Sequence, residues 1–341
     1  MKKVSEISFV YIGLVIGAGF ASGREILEYF NFCSRSDFSG IILAALFFAV
    51  ISYIIMHLSN IYGADSFDRF IDRAAGSAAF AVKAFMFLYM FCGFFIMLSG
   101  SGTLLSRTFS VPVRYGIFLL AAVCFVIFSF DVKGLVIMSN FMVPIMIAGM
   151  AFLCITSILC GTTPAFAAIR KLHSNPLTAA VCYAAYNTIT AGAVLVPVSV
   201  NTDRKTLTKA AVISSSVLGL LIFIVWTTLN TFYAETADAE MPLLELSIAS
   251  GQVFEIIYTC VMFMALCTTA VSHGFGILSK LQIKKIPDRI LASAALCVSA
   301  IPFAKIGFSD LIANLYSAFG YAGIVWLVML IFTYIRTDGK G

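Results

Sequence analysis

Charged residues are scarce in this sequence. They make up only 11% of its 341 residues, whereas soluble globular domains carry roughly 25%. Hydrophobic residues account for 61%, and the mean hydropathy is +1.00. This balance excludes an ordinary soluble domain and predicts an integral membrane protein. The net charge of +5 comes from basic residues in short connections, so it indicates no nucleic-acid partner.

The common patterns of metal and redox chemistry are also missing. The three histidines, His57, His173 and His273, are far apart, and no H-E-x-x-H pattern occurs. The nine cysteines include no C-x-x-C pair, and most fall in apolar runs, where small residues serve packing. We therefore expect no enzyme, no catalytic residue and no cofactor beyond a coupling ion.

Long apolar runs dominate what is present, for example 41–58 and 135–159. Runs of this length match the roughly 20 residues that a helix needs to cross about 30 Å of hydrocarbon. The short alternating segments of a membrane β-barrel do not occur. The sequence predicts an all-α membrane protein with ten transmembrane helices. The predicted spans are 5–33, 38–62, 77–106, 113–130, 134–160, 177–200, 209–233, 252–278, 289–303 and 309–335.

Basic residues indicate how these spans are oriented. An even number of spans places both termini on one side, and most lysines and arginines fall in the connections on that side. Because cytoplasmic loops are enriched in Lys and Arg, both termini are predicted to be cytoplasmic, in the inner membrane of a bacterium. The connection 235–251 carries four acidic residues and no basic one, so it is predicted to be external.

A weak internal repeat divides the chain into halves. Ile16-Gly17-Ala18-Gly19 has a counterpart 173 residues later in Ile189-Thr190-Ala191-Gly192, and the same offset carries predicted spans two to five onto spans seven to ten. The first repeat is 1–160, an external connection is 161–176, and the second repeat is 177–341. Five helices per repeat force the second to be inverted, which is typical of secondary transporters.

A glycine-rich segment interrupts the first predicted span. Residues 13–25 contain four glycines and end in two charges. Loosened backbone at membrane depth is tolerated only where it is buried or lines a cavity. Its free N–H groups suit a carboxylate, so the segment is a candidate substrate site. The alternative is tight helix packing through Gly19 and Gly23. The candidate residues are Gly17, Ala18, Gly19, Phe20, Ser22 and Gly23.

Two charged residues follow this segment directly. Charges inside membrane spans are costly and usually functional. Glu25 either meets a cationic group of the substrate, carries a proton, or is a helix-start carboxylate paired with Arg24. Arg24 is also a candidate for an outer gate with Asp310.

The sixth span is predicted to break at 187–192, opposite the first break. In inverted repeats the substrate lies between two such breaks near the membrane midplane. Polar and aromatic side chains close to the breaks would line the pocket. These candidates are Tyr89, Tyr186, Asn187 and Thr190.

A cation site is predicted where the eighth span passes the first break. Ala265, Thr268 and Thr269 place a carbonyl and two hydroxyls within about one helical turn. Unwound carbonyls of Gly13 and Ile16 would complete an oxygen shell that suits a hard cation. The alternative is that both threonines bond back to the preceding turn of their own helix.

The chain resembles the YkvI-like family of bacterial membrane proteins at three segments. These are 16–26, Gly100-Ser101-Gly102 and Met241-Pro242-Leu243-Leu244. More broadly, the five-plus-five topology resembles the amino acid–polyamine–cation superfamily with the LeuT fold. This resemblance implies that the backbone at Gly17, Ala18 and Gly19 holds a substrate carboxylate. It also implies a sodium site at Gly13, Ile16, Ala265, Thr268 and Thr269. No lysine lies within 134–160, where proton-coupled relatives place one.

Together these observations predict a secondary transporter for an amino acid or a similar small zwitterion, driven by Na⁺ symport. A proton-coupled or organic-cation carrier is the alternative, and a channel or membrane receptor is the alternative from another class. The expected partners are a small-molecule substrate and the lipid bilayer. The sequence predicts neither the substrate's identity nor an oligomeric state.

Overall fold

The computed structural model describes residues 2–30, 38–160, 175–281, 283, 285–305 and 323–337. Nearly all of these residues are helical and none of them is in a strand, which confirms the all-α prediction for this part of the chain. Short 3₁₀ turns at Gly76–Ala78 and Ser279–Leu281 join longer helices. The α-helices are α1 (Lys2–Val15), α2 (Ala18–Ser22), α3 (Arg24–Phe30), α4 (Ser39–Tyr62), α5 (Phe67–Ala75), α6 (Ala79–Phe109), α7 (Val113–Phe128), α8 (Asp131–Cys160), α9 (Pro176–Ser199), α10 (Arg204–Thr231), α11 (Tyr233–Thr236), α12 (Pro242–Ala249), α13 (Gln252–Leu278), α14 (Ile286–Ala304) and α15 (Gly323–Thr337).

Seven helical segments of the described chain are long and apolar enough to cross a membrane. Two further apolar helices, α7 and α15, are shorter. The chain is therefore a multi-pass membrane protein. The predicted count of ten is not reproduced as ten single helices, because α1, α2 and α3 divide the first span and residues 306–322 of the last lie outside the described ranges.

The helix bounds repeat at the predicted offset of 173 residues. Helix α6 begins at 79 and α13 at 252, while α7 begins at 113 and α14 at 286. The short helices α5 and α12 begin at 67 and 242, so they are separated by nearly the same offset. The correspondence between these two short helices was not predicted from the sequence. The inversion of the second repeat stays a prediction, and most of the connection 161–176 lies outside the described residues.

Side-chain contacts identify the two ends of the helical bundle. At the first, here called the terminal end, Asn60 Nδ2 donates to Thr202 O (2.5 Å), and the hydroxyls of Tyr62 and Thr337 are 3.2 Å apart. The ends of α4 and α15 and the start of α10 therefore lie together. At the opposite end Arg107 pairs with Glu245 (2.5 Å), which joins the end of α6 to α12.

The predicted break in the sixth span is wrong. Helix α9 runs without interruption through 187–192. Its polar side chains are satisfied by the preceding turn, since Asn187 Nδ2 donates to Tyr183 O (3.0 Å) and Thr188 Oγ1 donates to Ala185 O (3.0 Å). The segment holds a single glycine, so nothing opens the backbone there.

Candidate functional site

The first interruption of the glycine-rich segment separates α1 from α2. Gly17 N–H donates to Val15 O (2.8 Å), not to Gly13 O as a continuing helix requires. The helical pattern resumes when Ala21 N–H donates to Gly17 O (2.8 Å). The carbonyl of Gly13 is thereby released from its helical partner, at the position where the sequence predicts a cation ligand.

The second interruption is at Gly23, which joins α2 to α3. Its φ of 82° is left-handed, a conformation that glycine adopts without steric cost. The hydroxyl of Ser22 donates to Gly19 O (2.9 Å) and accepts from Arg24 N–H (3.2 Å). Both Ser22 and Gly23 therefore shape the backbone of the candidate site.

Helix α2 is anchored to α13 by a buried tyrosine. Tyr258 OH donates to Ala21 O at 2.5 Å, and Tyr258 is 1% exposed. Phe20 and Ala18 are also buried. This anchor could not be predicted from the sequence, because one tyrosine among 13 carries no positional signal.

Glu25 lies in the first turn of α3 and is only 5% exposed. Its side chain folds back over Gly19, so closely that a Cβ at position 19 would lie 2.5 Å from Glu25 Cδ and overlap Oε1. Within the described ranges, Glu25 Oε2 has no hydrogen-bond partner. A buried oxygen of this kind is costly unless a ligand or a proton occupies it.

Arg24 does not pair with Glu25. Its Nε donates to Glu28 Oε1 (3.0 Å), and a terminal nitrogen donates to Ala237 O (2.9 Å) and Ala239 O (3.3 Å). The helix-start pairing considered for Glu25 is therefore wrong. The proposed gate partner, Asp310, lies outside the described residues, so that gate stays a prediction.

The predicted pocket wall on α6 and α9 is aromatic and hydroxylated. The hydroxyls of Tyr89 and Thr190 are 3.0 Å apart, and the rings of Tyr89 and Tyr186 meet edge to face with centroids 6.4 Å apart. Tyr89 also lies within electrostatic range of Glu25. Three of the four predicted wall residues are thus together. The fourth, Asn187, uses its amide on its own helix.

His273 belongs to the same wall, although sequence analysis assigned it no role. Its ring lies 5.6 Å from that of Tyr89, and its Nδ1 is 2.8 Å from Thr269 O. A Cβ at Gly93 would lie 2.4 Å from His273 Cδ2, so this glycine admits the imidazole between α6 and α13. Its position four residues after Thr269, on the same helix face, was the signal that could have revealed it.

The two predicted cation-site threonines differ in their surroundings. Thr268 Oγ1 donates to Ala265 O (3.0 Å), which is the back-bonded alternative. Thr269 Oγ1 is buried without a hydrogen-bond partner in the described part of the chain. A Cβ at Gly17 would lie 2.8 Å from this hydroxyl. The structure therefore brings Thr269 to the first interruption, beside Gly17.

A cavity of about 320 Å³ lies at the terminal end, and α9 and α13 contribute to its wall. It includes Ala193, three residues after Thr190, and Phe275, two residues after His273. At the opposite end, Arg24 and the Arg107–Glu245 pair tie the helices to α11, α12 and the residues between them. The cavity is lined by Asp65, Ser66, Phe67, Arg69, Phe128, Ala193, Pro197, Phe275, Leu278, Ser279, Ile283 and Arg289.

Comparison with known proteins gives two sequence relatives, both from Bacillus subtilis (strain 168). The chain is 26% identical over 332 residues to the uncharacterized membrane protein YkvI, covering 96% of this chain and 95% of YkvI. It is 28% identical over 343 residues to the uncharacterized protein YyaD, covering 96% of each. The resemblance to YkvI-like proteins is confirmed. No family model matches the chain.

Solved transporter structures share the fold. A Na⁺-coupled sialic acid symporter superposes with a TM-score of 0.64 at 11% identity, covering 94% of this chain and 75% of the symporter. MhsT in complex with L-phenylalanine gives 0.62 at 16%, covering 97% and 87%. Mhp1, a nucleobase-cation-symport-1 family transporter, gives 0.62 at 11%, covering 93% and 77%. The chain has the LeuT fold.

Proposed function

We propose that this protein is a secondary active transporter that moves an amino acid or a similar small zwitterion by alternating access, in symport with Na⁺. The observation that carries the proposal is the pairing of an interrupted helix with two buried oxygens that have no hydrogen-bond partner among the described residues. Glu25 Oε2 and Thr269 Oγ1 flank the α1–α2 interruption, where peptide groups are released from helical bonding.

A zwitterionic substrate is proposed because one side of this site suits a negative group and the other side suits a positive group. Peptide N–H groups at Ala18 and Gly19 lie at the start of α2, where they suit a carboxylate. A positive group of the substrate would offset the charge of the Glu25 carboxylate beside Gly19, because two carboxylates in one buried site repel each other. An α-amino acid supplies both charges within one small molecule.

Sodium is proposed for the position between Thr269 and the turn at Gly17. The Thr269 hydroxyl, the released Gly13 carbonyl and the Ile16 carbonyl are neutral oxygens, which a hard monovalent cation accepts as ligands. Ala265 lies about one turn before Thr269 on α13, Thr268 directly precedes it, and both are proposed as the remaining ligands. The symporters that share the fold include Na⁺-coupled ones, which supports this choice of ion.

The rest of the transport unit is proposed by the same reasoning. Residues 1–160 and 177–341 act as inverted repeats, and both termini face the cytoplasm in a bacterial inner membrane. Basic residues at the terminal end, among them Arg204 and Lys280, support this orientation. The cavity toward that end would then be the route to the cytoplasm.

An organic-cation or proton-coupled carrier is the second candidate. It is favoured by Glu25 itself, because the carboxylate already covers Gly19, one of the two amides assigned to the substrate. A cationic amine without a carboxylate would need only Glu25. A proton on the same carboxyl would equally remove the uncompensated charge.

Uptake into proteoliposomes with matched competitors separates these candidates. Uptake of a labelled amino acid is measured in the presence of each of three unlabelled compounds: the same amino acid, the amine that lacks its carboxylate, and the acid that lacks its ammonium group. The zwitterion proposal expects competition by the amino acid alone, with uptake dependent on a Na⁺ gradient. Equal competition by the amine would favour the organic-cation carrier. Uptake driven by a pH gradient in the absence of Na⁺ would favour proton coupling.

A further inference from the structure

A second cavity, of about 730 Å³, lies at the terminal end where α5, the 3₁₀ turn and α15 meet. Its wall includes Arg73 from α5 and Arg336 from α15, with Met329 and Phe332 beside them. It shares no lining residue with the cavity of about 320 Å³ described above. It is therefore a separate feature of the protein.

In the part of the chain that the structure describes, the two arginines lack a counter-charge. Within the described ranges, neither guanidinium forms an ion pair or a side-chain hydrogen bond, and no acidic residue lines the cavity. Neighbouring basic residues differ, because Arg69 pairs with Asp65 and Lys83 with Asp72, both at 2.7 Å. Two guanidinium groups facing one cavity attract an anion and match phosphate geometry well.

The walls of this cavity are held in place by hydrogen bonds. Thr333 Oγ1 donates to Ala74 O (3.1 Å), which ties α15 to the end of α5. The Tyr62 and Thr337 hydroxyls, 3.2 Å apart, tie α15 to the end of α4. The two arginines therefore extend from connected helices.

Two apolar side chains are strongly exposed, one in the wall of this cavity and one two residues after Ala78 of the wall. Phe332 is 67% exposed, and Phe80, at the start of α6, is 85% exposed. In a membrane protein such residues at helix ends meet acyl chains. An anionic group bound by Arg73 and Arg336 would have hydrocarbon directly at its side.

We propose that this cavity binds the headgroup of an anionic phospholipid, with its phosphate between Arg73 and Arg336 and an acyl chain along Phe332. Basic pockets between membrane helices on the cytoplasmic side bind lipids of this class. The alternative occupant, a free phosphate, would make no use of the exposed aromatic surface.

Native mass spectrometry of the full-length protein, titrated with phosphatidylglycerol or phosphatidylcholine of identical acyl chains, tests the proposal. We expect tighter retention of phosphatidylglycerol. The double variant Arg73→Gln/Arg336→Gln should bind it roughly 30-fold more weakly, since each arginine contributes about one phosphate interaction of the size seen at membrane surfaces. The control Arg114→Gln removes an exposed arginine at the opposite end and should leave binding unchanged.

Three results would overturn the proposal. They are equal retention of the two lipids, unchanged phosphatidylglycerol binding in the double variant, and full competition by inorganic phosphate at millimolar concentration. If the double variant does not fold, the two single variants provide the same test, each with an expected loss of roughly fivefold.

Discussion

Replacing Thr269 by valine should stabilise the sodium-free protein while abolishing its response to sodium. Valine has nearly the same shape as threonine but no hydroxyl. Thr269 Oγ1 is buried beside Gly17 without a partner in the described structure, and such a group costs about 1–3 kcal/mol. Its removal should therefore raise the free energy of unfolding by about 1 kcal/mol when no cation is bound.

Thr268→Val, at a second proposed sodium ligand on the same helix, is the matched comparison for stability in the absence of sodium. Thr268 Oγ1 already donates to Ala265 O at 3.0 Å, so this change removes a satisfied hydrogen bond. The expected result is a loss of about 1 kcal/mol in sodium-free buffer. The two neighbouring substitutions should thus change stability in opposite directions, although their chemistry is identical.

Chemical unfolding in a mild detergent, with choline replacing Na⁺ at constant ionic strength, measures both effects. Ligand binding to the native state at about 100 times its dissociation constant stabilises by about 2.7 kcal/mol. Wild type should show a gain of this order in Na⁺, and Thr269→Val should show none. A Thr269→Val protein that is destabilised without sodium, or that still responds to sodium, would refute the assigned role of this hydroxyl.

Three further substitutions address the same site. Gly17→Ala places a Cβ 2.8 Å from Thr269 Oγ1, and such overpacking costs about 1–3 kcal/mol. The Na⁺ concentration for half-maximal uptake should therefore rise roughly tenfold, and an unchanged concentration would contradict the cation site. Glu25→Gln keeps the shape and removes the charge, so competition by the amino acid should weaken at least about tenfold, whereas an unaffected competition curve would exclude Glu25 from substrate binding. Tyr258→Phe loses the 2.5 Å bond to Ala21 O and should lower the unfolding free energy by about 1 kcal/mol, with an unchanged midpoint counting against the anchor.

Hydropathy predicted the long helices well because a bilayer fixes their length. The predicted spans 38–62 and 252–278 match α4 (Ser39–Tyr62) and α13 (Gln252–Leu278) within one residue. The repeat offset followed from the same signal. Composition averaged over about 20 residues is enough for a segment surrounded by hydrocarbon.

The short helices α5 and α12 were missed because hydropathy averages over them. Helix α5 buries Phe67, Phe70 and Ile71 and exposes Asp72 and Arg73, so its mean composition resembles that of a loop. Its apolar residues at spacings of three and four were visible in the sequence and are typical of an amphipathic helix.

Local polar patterns predicted the site unevenly. The glycine-rich segment was correctly singled out, since four glycines and two charges conflict with a continuous membrane helix. At 187–192, the same type of argument failed, because Asn187 and Thr188 bond to their own helix. A sequence does not say whether an intramembrane hydroxyl or amide turns toward a ligand or back to the preceding turn.

Because the first span is interrupted between α1 and α2 while α9 is continuous, the two have different roles in the proposed transporter. Gly192, the counterpart of Gly19, lies against Phe67 of α5, where a Cβ would come within 3.0 Å of the ring. This glycine therefore serves packing, and α9 offers the pocket side chains such as Thr190 but no released peptide groups. Backbone recognition then falls to α2, which α13 holds through Tyr258 and touches through Thr269. A cation bound between Thr269 and Gly17 would strengthen that contact and fix the amides of α2 before substrate arrives, which is how sodium could raise substrate affinity without touching the substrate.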